Sequence, residues 1–131
     1  KPHTLSTENY RGVLNGKSRA VFNGKVIVHK DAQKIEAHQN NANLLLSDDA
    51  EIDTKPELEI YADDVQCAHG ATVTDLEDSY MFYLMARGIS ETRARQMLIK
   101  AFVAEIVEEL DDDDLVESLE ARIDAWMETH V

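Results

Sequence analysis

The chain is short of cysteine, proline, aromatics and basic side chains. A single cysteine in 131 residues excludes an intrachain disulfide, which suits a reducing compartment and sets the expectation of a cytoplasmic protein. The five glycines, at positions 12, 16, 24, 70 and 88, never form G-x-G or G-x-x-x-x-G-K, so the chain carries no phosphate loop of its own. Lys and Arg number 13 against 26 Asp and Glu, a net charge of −13. That balance argues against nucleic acid or an anionic membrane surface, because both need clustered bases. No apolar run approaches the roughly 20 residues that cross a bilayer. The sequence begins at Lys1 rather than a methionine, as a mature chain or a piece of a longer one would.

What is present is enough hydrophobic residue, 44%, to build a real core. The charge is uneven: residues 1–73 carry 11 acidic and 8 basic side chains, and residues 74–131 carry 15 and 5. The step divides the chain into two regions, the second either facing a basic partner or simply well solvated.

From Arg19 to Val73 the apolar residues alternate in short bursts, Val26/Val28, Leu44/Leu46, Leu58/Ile60, Val65/Cys67 and Ala71/Val73. Period two marks half-buried strands. Turn-forming pairs lie between them, Asn23-Gly24, Asp48-Asp49 and Asp63-Asp64, which predicts many short strands. A sandwich, a small barrel and a parallel β-helix all fit; the scarcity of proline and the amide run Gln39-Asn40-Asn41 ahead of Leu44 lean toward the β-helix. After Val73 the period becomes helical. Thr74-Asp75-Leu76-Glu77 reads as a capping box opening a helix to about Ala86, with Leu76, Tyr80, Tyr83 and Leu84 on one face and Gly88 closing it. Ser90 caps a second helix, Glu91 to Leu110, with Ala94, Leu98, Ala101, Phe102 and Ile106 as its apolar set. A third follows Asp111–Asp114 and buries Leu115, Leu119, Ile123 and Trp126 or Met127. The four aspartates suit a helix N-terminus and lack the spacing of a calcium loop.

The chemistry concentrates in "YADDVQCAHGAT", residues 61–72, where Cys67 and His69 stand two apart. A structural zinc site needs about four ligands and this pair supplies two. A Cys–His nucleophilic couple is disfavoured, since strand positions i and i+2 share a face but stand too far apart for an easy hydrogen bond. Two readings stay open: a core thiol beside a structural histidine, the commoner case, or two donors offered to a metal that a second protein helps to hold.

Taken together, "SRAVFNGKVIVHKDAQK" at 18–34, "QNNANLLLS" at 39–47, "PELEIYADDVQCAHGAT" at 56–72 and "FYLMARGIS" at 82–90 give a chain that resembles the C-terminal part of the SufB/SufD family of iron–sulfur cluster assembly scaffolds. The resemblance covers most of residues 10–110 and weakens at both ends. SufB-type chains have a cysteine in the segment matching "NNANLLLS" and a glutamate after the motif histidine; here Gly70 takes the second place, so the chain resembles the D type. The resemblance implies a mixed β and α fold: the last turns of a right-handed parallel β-helix over 1–73, then a helical domain of about three helices over 74–131. It implies pairing with a SufB-like sister, docking of a SufC-like ABC-type ATPase by the helices, and His69 at the cluster-assembly interface with Cys67 beside it, the two as transient metal ligands shared with the sister. The corner at Tyr83, Arg87 and Ile89 becomes a candidate ATPase contact, although a plain helical turn explains those residues equally well.

The expectation is thus a non-enzymatic scaffold that binds no cofactor alone and meets a nascent iron–sulfur cluster only in the complex. A purely structural partner, with every cluster ligand on the sister chain, and a metal-dependent enzyme are the competing readings. Exposed strand edges further predict self-association of the isolated chain.

Overall fold

A computed structural model describes residues 1–131. Five strands come first, β1 (Leu5–Leu14), β2 (Arg19–Val28), β3 (Ile35–Leu45), β4 (Glu51–Ile60) and β5 (Val65–Asp75). Three helices follow, α1 (Asp78–Met85), α2 (Glu91–Val107) and α3 (Asp113–His130). Odd and even strands separate into two sheets, ordered β1-β3-β5 and β2-β4, and every pairing is parallel. Leu5 stands beside Glu36, Ile35 beside Val65 and Arg19 beside Glu51, so the chain returns to each sheet after about 30 residues. Short bends at Ser47–Asp49 and Asp63–Asp64 carry it from one sheet to the other.

The faces that the sheets turn toward each other hold two kinds of core. At one end Val28, Ile35, Ala37 and Ala62 are buried together, with Val26, Val65 and Cys67 packed against them. Farther along β3 the interior is polar: Gln39, Asn41 and Asn43 are all buried. Asn43 donates to Asn41 Oδ1 at 2.7 Å and to the Thr72 carbonyl at 3.3 Å. Thr54 of β4 donates to the same Asn41 oxygen at 2.8 Å, so Asn41 and Asn43 find partners inside the protein as burial requires.

The helices cover the outer face of the three-stranded sheet. Leu44 from β3, Ile99 from α2 and Met127 from α3 form a second core, flanked by Val13, Phe102, Ile123 and Trp126. Polar ties reinforce it: Arg11 of β1 pairs with Glu105 of α2 at 2.8 Å, Asn9 donates to Glu109 at 3.0 Å, and Arg95 donates to the Leu46 carbonyl at 3.1 Å. Ser90 caps α2 by accepting from the Arg93 N–H, and Asp112 caps α3 by accepting from the Leu115 N–H, each satisfying an amide of the first turn.

Several expectations need correction. Thr74 and Asp75 belong to β5, and α1 begins only at Asp78, with Glu77 at its N-cap and no side-chain cap. Pairing with Leu44 and Leu45 of β3 satisfies that backbone better than a first helical turn would, and the Thr74 hydroxyl donates to the Asn43 carbonyl instead. Asn23-Gly24 is no turn but the middle of β2. The strands are five of 10–11 residues rather than many short ones, and Val65/Cys67 and Ala71/Val73 are one strand. The amide run leads into a polar interior, where Gln39 and Asn41 are buried and Asn41 accepts from Asn43 along its own strand. α1 buries no residue, and Tyr80 and Tyr83 are exposed. α2 ends at Val107 and buries Ala94, Ile99 and Val107, while Leu115 of α3 is exposed.

Candidate functional site at the open edge of the three-stranded sheet

β5 is held by β3 alone and leaves its other side unpaired. Parallel register sets Ala37 beside Cys67, Gln39 beside His69 and Asn41 beside Ala71. Ala37, Gln39 and Asn41 are buried between the sheets, and partners in register point the same way, so Cys67 and His69 share the inward face. Their environments still differ. Cys67 is half-buried against the apolar cluster of Val28, Ile35, Ala37 and Ala62, whereas His69, two residues on, is exposed where nothing lies beyond β5.

The spacing therefore delivers one accessible donor and one packed thiol. Successive residues on one face of a strand lie about 6–7 Å apart, so the two side chains do not form a tight couple. Nowhere in the chain do three or more His, Cys, Asp or Glu side chains gather into a metal-holding group. An imidazole at an unpaired strand edge can bind an incoming borderline metal such as iron as one ligand of several. Gly70 adds no side chain beside it; a Cβ there would meet only Asn40, at 3.7 Å.

The second candidate surface is the α1–α2 corner. Gly88 adopts φ +86° and ends the helix in the left-handed conformation, while the Ile89 N–H reaches back to the Leu84 carbonyl at 3.3 Å. The Arg87 guanidinium lies 3.5 Å from the centre of the Tyr83 ring and donates to the Tyr83 carbonyl at 3.2 Å. Ile89 is half-buried. Arg87 and Tyr83 thus form one preassembled cation–π unit on the surface, with Tyr80, Phe82 and Met85 also exposed on this helix. Phe82, 75% exposed, was not singled out from the sequence; an aromatic that the helical face does not bury is the signal that marks it.

Reasoning on residue types also missed the neighbours of His69. Gln39 lies beside it, and Glu8 of β1 beside Gln39. Only the return distance of about 30 residues connects these positions, and the repeat in the sequence is too degenerate to reveal it.

Among known proteins, the chain is 48% identical over 118 residues to the iron-sulfur cluster assembly protein SufD of Escherichia coli, an alignment covering 90% of this chain and 28% of that one. It is 45% identical to an iron-sulfur cluster assembly SufBD family protein of Synechocystis, over 83% of this chain and 24% of the relative. SufD of Plasmodium falciparum is 34% identical over 87% of this chain and 8% of its own length. The chain spans about a quarter or less of these curated relatives. With residues 1–102 matching the SufBD core domain of SUF-system FeS cluster assembly, the chain belongs to the SufBD core family.

Proposed function

We propose that the chain is the C-terminal part of a cytoplasmic, non-catalytic scaffold subunit on which an iron–sulfur cluster is assembled as cargo. In this reading residues 1–73 are the last turns of a right-handed parallel β-helix and residues 74–131 a helical domain. Two all-parallel sheets that receive alternate strands, with a return of about 30 residues, support the β-helix, and parallel crossovers are overwhelmingly right-handed.

The observation that carries the functional reading is His69, an exposed donor on the inward face of an unpaired edge strand. A strand from a SufB-like sister, added at that edge, would lie about 4.8 Å from β5 and bring its own ligands beside the imidazole. An incomplete ligand set on one chain then becomes a complete one at the joint. Cys67 shares the face, but its packing against Ala37 and Val28 supports a mainly structural thiol, with His69 as the donor.

The helical region takes the ATPase. The exposed Tyr83–Arg87 unit, with Ile89 behind it, offers an aromatic and a guanidinium, the side chains most enriched at interface hot spots, and a SufC-like subunit is the proposed occupant. ATP hydrolysis belongs to that subunit.

The test is the iron and sulfide content of the anaerobically purified full-length complex. His69→Ala is expected to assemble with its partners yet carry less than about a tenth of the native cluster. Native cluster content in an intact His69→Ala complex would leave this chain as a structural partner and move every ligand to the sister.

A further inference from the structure

The row of side chains that contains His69 also contains a buried atom with no partner. Gln39 is 3% exposed. Its Nε2 donates to Glu8 Oε2 at 2.9 Å, and its Oε1 has no hydrogen bond at all. An ionised carboxylate only accepts, so Glu8 fixes the amide with NH2 toward β1 and leaves the carbonyl oxygen for another donor. A buried acceptor left unpaired is unfavourable. From the opposite sheet the amide faces Gly24 and Phe22, for a Cβ built on Gly24 would lie 2.8 Å from Gln39 Nε2, 2.9 Å from Oε1 and 2.7 Å from the Phe22 ring. Neither residue has a side-chain donor. Register does supply one: Glu8 stands beside Gln39, and Gln39 beside His69, on one face of β1, β3 and β5. His69 completes the row, and its imidazole has an N–H to give.

We propose that Gln39, oriented by Glu8, is a positioning residue for His69: its Oε1 accepts one imidazole N–H, which fixes the tautomer and leaves the other ring nitrogen as a lone-pair donor toward the open edge. The bond is not made in the structure, where the ring is solvent-exposed. An exposed histidine changes rotamer at little cost, and doing so satisfies the orphaned oxygen. A metal-binding histidine is commonly held through its second nitrogen in this way. The inference rests on His69 being the donor proposed above, but its test reads the ring before any metal binds.

The full-length protein is labelled with nitrogen-15 histidine, and the His69 signals are identified by their loss in His69→Ala. One neutral tautomer is expected to predominate in the native protein. Gln39→Met, which keeps the length without the amide, should move the tautomer ratio ~3–10-fold toward that of free imidazole, the size of one net hydrogen bond. Glu8→Gln, at a partly exposed position where folding is less at risk, should move it in the same direction by freeing the amide to rotate. A ratio unchanged in both variants, or a native ring already at the free ratio, overturns the proposal. Either result leaves the cluster measurement on His69→Ala to be judged separately, so the two ideas fail independently.

Discussion

At the scale of single residues, part of the double sheet's interior is polar, and a small residue beside it leaves room that a larger one would not. Gly12 lies beside Asn43 in the parallel register, and a Cβ there would collide with Asn43 Oδ1. Asn43 is 1% exposed and its amide is committed to Asn41 and Thr72, so it has nowhere to move. Gly12→Ala should therefore cost ~1–3 kcal/mol by overpacking, read as a lower urea midpoint with an unchanged slope. Cys67 predicts the opposite kind of result. Its thiol fills space against an apolar cluster, so Cys67→Ala should cost ~1 kcal/mol as a small cavity and leave the cluster content of the complex near native. Loss of cluster from a stable Cys67→Ala protein would make the thiol a ligand after all. The Cys67–His69 pair is legible in the sequence because strand alternation alone puts i and i+2 on one face. That one of them is packed and the other open is not legible, since it depends on where the sheet stops.

At the scale of elements, the caps with a side-chain signature were readable and those without it were not. Ser90 sits where a serine before a helical run belongs; the aspartate run marks the start of α3, but which of its four members caps the helix, Asp112, only the backbone decides. Thr74-Asp75-Leu76-Glu77 has the same signature and misleads, because β3 offers a longer parallel pairing to the same backbone. β1, with Ser6, Thr7, Glu8 and Asn9 in its first half, lacks the apolar alternation that reveals β2 and is defined by its pairing to β3. Ser90→Ala should lower stability by ~1 kcal/mol with little change in helix content, as judged by thermal unfolding and circular dichroism. The α2–α3 contact carries a pH signature. Hydrogen bonding to Asp124, then to Glu120, holds the Lys100 ammonium above its ordinary value of 10.5. A folded pKa raised above the unfolded one gives stability that is complete below the unfolded value and is lost as pH rises through the folded one. The contribution is small because the site is at the surface. The alkaline limb of a stability–pH curve should accordingly flatten in Lys100→Met; an identical limb in both proteins would remove this pair from the account.

At the scale of the whole molecule, open strand edges and an acidic helical layer define what the chain presents to others. β1 and β5 are the edge strands of one sheet, β2 and β4 each have an open side in the other, and Leu5, Val21, Ile27, Ile60 and Val73 on these strands are exposed. Edges of this kind recruit other strands, so the isolated chain should self-associate, with a mass that rises with concentration in sedimentation; a monomer across the whole range would contradict it. No helix is long and apolar enough to cross a membrane. The division into strands and helices was visible from the change of hydrophobic period near Val73 and from the step in charge. The sharing of one core by the outer sheet face and the helices, through Leu44, Ile99 and Met127, was not, because it joins residues more than fifty positions apart. In the proposed function, β5 gains a partner strand from a second subunit and His69 acts at that joint. That pairing is tested most directly by backbone hydrogen exchange of residues 65–75 in the full-length protein, alone and in complex with the proposed SufB-like sister. The account predicts that the β5 amides facing the open edge become strongly protected on complex formation while those of α3 do not change. A complex that forms with β5 exchanging as it does in the free protein would contradict it.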